Sequence, residues 1–139
     1  MRAFIDTNLW AYRLDRRDEE KSKRIAAWLA EITSTHDVVI STQVLIEIRS
    51  VASRKLKPPL SDEQISALLE ALSGFEVVCT DANLVLDAHQ LAISETISWF
   101  DALIVEAAIR SRCDVLYSED LCHGRRIGGV VLNNPLLDI

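Results

Sequence analysis

Cysteine, proline and glycine are scarce in this sequence, and no apolar run is long. Among 139 residues there are three prolines, four glycines and three cysteines, Cys79, Cys113 and Cys122. An odd cysteine count at wide spacing, with no C-x-x-C pair, leaves neither a disulfide framework nor a zinc ribbon. Cys122-His123 has no second Cys or His at ligand spacing, so it reads as a loop. Reduced thiols fit a cytoplasmic protein. No apolar stretch approaches the roughly 20 residues of a membrane span, and the N-terminus lacks a signal-peptide core. The expected location is cytoplasmic, with no membrane partner. No repeat, low-complexity tract or linker interrupts the chain, so its length points to one domain over residues 1–139.

Positive charge is also in deficit. Fifteen basic residues face 21 acidic ones, a net charge of −6, which excludes a protein that holds nucleic acid by charge alone. What basic charge there is lies early. Arg13, Arg16, Arg17, Lys21, Lys23 and Arg24 form one group, diluted by acids; Arg49, Arg54, Lys55 and Lys57 form a second without them. The second group is a candidate track for RNA phosphates, or else the solvated face of a helix. After Lys57 the chain has no lysine.

The hydrophobic pattern alternates between short buried strands and amphipathic helices. Strands are expected at Arg2–Ile5, Asp37–Ser41, Phe75–Cys79 and Asp114–Ser118, with a possible fifth at Gly129–Leu132. Helices are expected at Thr7–Leu14, Glu19–Ile32, Gln43–Leu56 after a Thr42 cap, from Ser61 to Leu72, from Thr80 or Asp81 to Ile97, and at Trp99–Arg112. Pro58-Pro59 ends the third, because proline lacks the N–H a helix needs. Ser61-Asp62-Glu63-Gln64 fits a capping box. Such alternation predicts an α/β fold with a mostly parallel central sheet of four to five strands flanked by helices.

Four acids fall where such a fold would gather them. Asp6 ends the first strand, and in open α/β sheets ligands bind just outside the carboxyl ends of strands. As a helix N-cap it would be one of several, since Thr7 and Asn8 follow. Glu47 lies between Val44, Ile48 and Val51 on the apolar stripe of its helix, where a lone carboxylate is costly unless paired or bound to metal. Asp101 sits in the first turn of the most apolar helix, a place the helix dipole also favours. Asp120 follows the fourth strand, with Glu119 as its competitor.

Carboxylates crowded together raise one another's pKa unless cations compensate. An oxygen-only ligand set suits Mg²⁺ or Mn²⁺ rather than zinc, and Mg²⁺ is commonly held by one or two carboxylates plus substrate phosphate. The chemistry this points to is metal-assisted phosphodiester hydrolysis, in which a metal-activated water attacks and no covalent nucleophile is needed.

In order and spacing, Phe4-Ile5-Asp6-Thr7-Asn8, Ile40–Glu47, Trp99–Ile104 and Leu116–Leu121, with the closing Val131–Pro135, resemble the PIN-domain ribonucleases. Among these they are most similar to the VapC-type toxins of toxin–antitoxin pairs. The resemblance covers nearly the whole chain. It implies a Mg²⁺- or Mn²⁺-dependent endoribonuclease with Asp6, Glu47, Asp101 and Asp120 as its acidic quartet. It further implies a pocket lined by Thr7, Asn8 and Ser118, a homodimer, an RNA substrate and a cognate antitoxin.

Two other readings compete. A phosphoryl-transfer domain with an aspartyl nucleophile also begins with a strand ending in Asp, but it needs a lysine near a late strand; none exists here. A non-catalytic PIN-like module with a degenerate site is the other, and it gives no reason to keep four like charges together.

Overall fold

The computed structural model describes all 139 residues. Five strands expected from the sequence form: β1 (Arg2–Ile5), β2 (Asp37–Ser41), β3 (Glu76–Val78), β4 (Val115–Tyr117) and, after an extra strand β5 (Arg126–Ile127), β6 (Val130–Asn133). The sheet therefore has six strands, in the order β3-β2-β1-β4-β6-β5. All neighbours pair in parallel except β5 with β6. The four to five strands expected fall short by that two-residue hairpin partner, which is too short to show a period. Its turn, Gly128-Gly129, has both φ values positive, +56° and +83°, the conformation a two-residue hairpin loop requires.

The helices are α1 (Thr7–Leu14), α2 (Glu19–Thr35), α3 (Thr42–Ser50), α4 (Asp62–Leu72), α5 (Ala82–Glu95) and α6 (Trp99–Arg110). The helix expected over Gln43–Leu56 is in fact two pieces. After Ser50 it widens into a π-helical turn, Val51–Lys55, closed by the Leu56 N–H donating to the Val51 carbonyl at 3.1 Å. Its cap is Ser41 rather than Thr42: the Ser41 hydroxyl accepts from the Val44 N–H, while Thr42 turns aside to bind the Val78 carbonyl and the Thr80 N–H. The Ser61–Gln64 capping box forms with both reciprocal bonds.

β1 is the centre of the molecule. Ala3, Phe4 and Ile5 are fully buried, with Val39 of β2 on one side of Phe4 and Leu116 of β4 on the other. Truncating a ring placed like Phe4 to alanine costs about 3–5 kcal/mol. α6 lies against β2, β4 and β6, burying Ala102, Leu103, Ile104, Val105, Ala107 and Ala108, and α5 packs on it. Chain order runs outward from β1 in both directions, through β2 to β3 and through β4 to β6. The strand order thus reverses between β1 and β4, and a crevice opens at their carboxyl ends.

Candidate active site

Asp6 is the first residue past β1 and Ser118 the first past β4, so the two face each other across the crevice. The Asp6 side chain is 7% exposed. One of its oxygens, Oδ1, accepts from the Thr7 N–H at 2.7 Å; the other, Oδ2, accepts from the Ser118 hydroxyl at 2.8 Å. Burial nonetheless pushes its pKa up to about 6, against the lowering by those two bonds and with further raising by Glu47 and Asp120. A carboxyl in this state holds its charge only weakly near neutral pH.

From Asp6 two short chains of bonds run outward. On one side the Ser118 hydroxyl accepts from the Asp120 N–H (3.1 Å), and Asn8 Nδ2 donates to Asp120 Oδ2 (3.0 Å). On the other, the Thr7 hydroxyl and Gln43 Nε2 both donate to Glu47 Oε1, at 3.0 and 3.4 Å. Glu47 is half-buried, and its Oε2 has no partner within the chain. Gln43 is nine-tenths buried, and its Oε1 finds no donor. Glu47 has no cationic partner: Arg110 pairs with Asp81 and Asp87, and Arg49 is exposed and unpaired. Asp101, in the first turn of α6 behind its Ser98 cap, is half-buried.

These residues line one cavity of about 490 Å³. Its wall carries Asp6, Thr7, Asn8, Glu47, Asp101 and Asp120 of the residues singled out by sequence, and Ser118 stands behind it, bonded to Asp6. Glu119 does not reach it. That carboxylate instead takes the Tyr12 hydroxyl proton donor and lies 3.8 Å from Lys21 Nζ, which in turn caps the Tyr12 ring at 3.6 Å. Burial and Glu119 together raise the Tyr12 pKa.

The basic group divides. Lys55 lines the cavity; Arg49, Arg54 and Lys57 are exposed and lie off it. The π turn accounts for the placement of Lys55. Steps of four residues along an α-helix drift by about 40°, so Gln43, Glu47 and Val51 walk around the helix. A wider turn leaves the next step short of a full round and brings Lys55 back toward the same face. Gln43 and Phe100, not among the candidate site residues, also line the cavity, as does Arg17 of the first basic group. Gln43 had a signal, standing four residues before Glu47; Arg17 had only its place in a basic group diluted by acids.

The donor set is wholly oxygen, as a hard divalent cation requires. No three of the carboxylates converge closely enough to make a ligand shell by themselves. The arrangement fits a hydrated ion such as Mg²⁺, which is held by one or two carboxylates and keeps its waters. Burial is the main cause of the upward shift of Asp6, with Glu47 and Asp120 adding to it, and a cation beside the carboxylate would oppose both.

A sequence model of the PIN domain matches residues 3–123. No curated protein sequence matches the chain. Among solved structures, VapBC2 of Rickettsia felis bound to a DNA fragment from its promoter is similar over 96% of this chain and 98% of its own, at 21% identity and a TM-score of 0.64. DNA-bound VapBC of Salmonella typhimurium covers 96% and 97% at 23% identity, TM-score 0.61. Mycobacterium tuberculosis VapC20, a toxin that cleaves the sarcin–ricin loop, covers 85% and 91% at 18% identity, TM-score 0.60. At these identities the likeness is one of fold.

Proposed function

The chain belongs to the PIN-domain family, and from that premise we propose that it is a Mg²⁺- or Mn²⁺-dependent endoribonuclease, the toxin of a toxin–antitoxin pair. The observation that carries the reading is a buried carboxyl at the strand-order reversal, with Glu47, Asp101 and Asp120 on the same cavity and no cationic side chain paired to any of the four; the fifth acid there, Asp15, is paired with Arg17. A degenerate binding module would have no use for that arrangement.

One or two of Asp6, Glu47, Asp101 and Asp120 would hold the hydrated cation directly, and the others would face its waters. When bound, it would supply an activated water and neutralise the leaving oxygen of an RNA phosphodiester. The rest is done by the chain. Ser118 and the Thr7 N–H fix the two oxygens of Asp6, so the carboxylate cannot rotate away. Thr7 and Gln43 fix one oxygen of Glu47 and leave the other free. Asn8 does the same for Asp120. Lys55 on the cavity wall, and Arg49, Arg54 and Lys57 beyond it, are the candidate contacts for RNA phosphates. Because Asp6 must be ionised to hold a cation, the proton that its raised pKa favours competes with metal binding as pH falls.

The antitoxin partner and a homodimer are part of the same proposal, supported by the toxin–antitoxin complexes among the structural neighbours. No helix is long and apolar enough to cross a membrane, and all three cysteines are free; the latter supports a cytoplasmic location.

The test is Asp6→Asn. Residues one bond removed from a metal already contribute about 10–100-fold, so Mn²⁺-dependent cleavage of single-stranded RNA should fall by more than that with the fold intact. Cleavage at the unmutated rate would overturn the reading.

A further inference from the structure

Phe100 is the most exposed aromatic residue in the chain, 65% accessible, yet it lines the cavity that holds the four acids. The fold makes no use of its ring. The aromatic pairs are Trp10 with Phe75 and Trp28 with Tyr117, and Phe100 is not among the side chains packed on the hydrophobic core. Its neighbour Asp101 fixes where it stands, beside the acids rather than on a remote face.

The same cavity wall carries two cations. Lys55 has no ion-pair partner. Arg17, also on that wall, is clamped by Asp15 through Nε at 3.0 Å and Nη2 at 2.8 Å, which leaves its Nη1 without a partner in the chain. A ligand that satisfies all three has a flat unsaturated ring and an anionic group close to it, and it extends as far as the acids. A nucleotide within a single strand has these parts, and its unstacked base is free to lie on an aromatic side chain. In a duplex the base faces are already taken. An apolar protein surface would cover Phe100 but would leave Lys55 and the carboxylates buried beside it without counter-charges.

We propose that Phe100 is a stacking platform for a nucleobase next to the scissile phosphate of single-stranded RNA, with Lys55 and Arg17 taking phosphates of the same strand. This rests on the ribonuclease reading and adds the part of the nucleotide that is gripped and the residue that grips it.

The test measures binding of a short mixed-sequence single-stranded oligoribonucleotide by fluorescence anisotropy, in the cleavage-deficient Asp6→Asn chain. Phe100→Ala should weaken binding by about tenfold or more, and Phe100→Trp should keep it. On a strand with abasic sites the difference between Phe100 and Phe100→Ala should vanish, a result that a merely structural role could not give. Equal affinity of Phe100→Ala and its parent would overturn the proposal, as would an equal loss on the abasic strand. So would conversion of a dimer to a monomer, seen by sedimentation, with RNA affinity per chain unchanged, since Phe100 would then serve a protein contact. If the unmutated chain cleaves RNA while Phe100→Ala binds it normally, the ribonuclease reading stands and only the platform falls. If the unmutated chain neither binds nor cleaves RNA, both fall.

Discussion

Two groups of carboxylates in this molecule are treated in opposite ways. Along α5 and α6, away from the crevice, Asp81 and Asp87 clasp Arg110 at 2.9 and 3.3 Å, and the Leu84 N–H and that guanidinium hold Asp81 below its usual pKa. Glu95 is paired with Arg125 in the same manner. At the carboxyl edge, Asp6, Glu47, Asp101 and Asp120 have hydroxyl, amide and N–H donors but no cation at ion-pair distance, and Asp6 is pushed up to about 6. On this cavity Arg17 is spent on Asp15 and none of the four acids is paired, so their negative charge is kept for something outside the chain. Neutral donors fix the direction of these carboxylates without cancelling their charge.

The largest effect that would sharpen this contrast is on stability. Asp6 has a folded pKa near 6 against an ordinary value of 3.8, so the folded state binds the proton more tightly than the unfolded one. Its burial therefore lowers stability above about pH 6, and the penalty fades as pH falls toward 4. The metal-free Asp6→Asn chain should be more stable than the unmutated protein at pH 8, by about 1–3 kcal/mol, with the gain disappearing near pH 4. Denaturant melts at the two pH values measure this. A variant less stable at pH 8 would mean that Asp6 is held as a comfortable structural cap.

A smaller effect should follow at Glu47. Gln43→Leu removes one of its two donors and also the orphaned Gln43 carbonyl, so the fold should tolerate it. Mn²⁺-dependent cleavage should drop by about tenfold, as for other partners of metal-binding groups, and Gln43→Asn should restore little because its amide is a methylene shorter. Full activity in Gln43→Leu would show that Thr7 alone orients Glu47. The smallest effect belongs to the paired acids. Arg110→Ala should lower the melting temperature slightly, as exposed ion pairs contribute little, and leave Mn²⁺ binding as it was. Loss of metal binding there would erase the distinction between the two groups.

Much of this arrangement was legible in the residues. The Val38-Val39-Ile40 and Ala3-Phe4-Ile5 runs show buried strands because both faces of a parallel sheet are covered, and an acid directly after such a run has few places to be except the crevice. The alternation of strands and helices then sends Asp120 to the same edge. Other features depend on what no local pattern encodes. Ser41 outcompetes Thr42 as cap because Thr42 is drawn to β3, a neighbour far away in sequence. The π turn that returns Lys55 to the cavity has no compositional mark, so Arg49, Arg54 and Lys57 looked equivalent to it. Tyr12 and Lys21 capture Glu119 and keep it off the cavity, a contact between α1, α2 and the loop after β4 that only the folded chain reveals. β5 could have been found from Gly128-Gly129 between Ile127 and Val130, a hairpin signal in its own right.

The central claim is that the four unpaired acids are kept for a divalent cation. Calorimetric titration of Mn²⁺ into the chain and into Asp101→Asn tests it without knowledge of the RNA. The account predicts saturable binding to the unmutated protein, weakened by more than about tenfold in the variant. Identical binding in both, or none in either at millimolar metal, would contradict it.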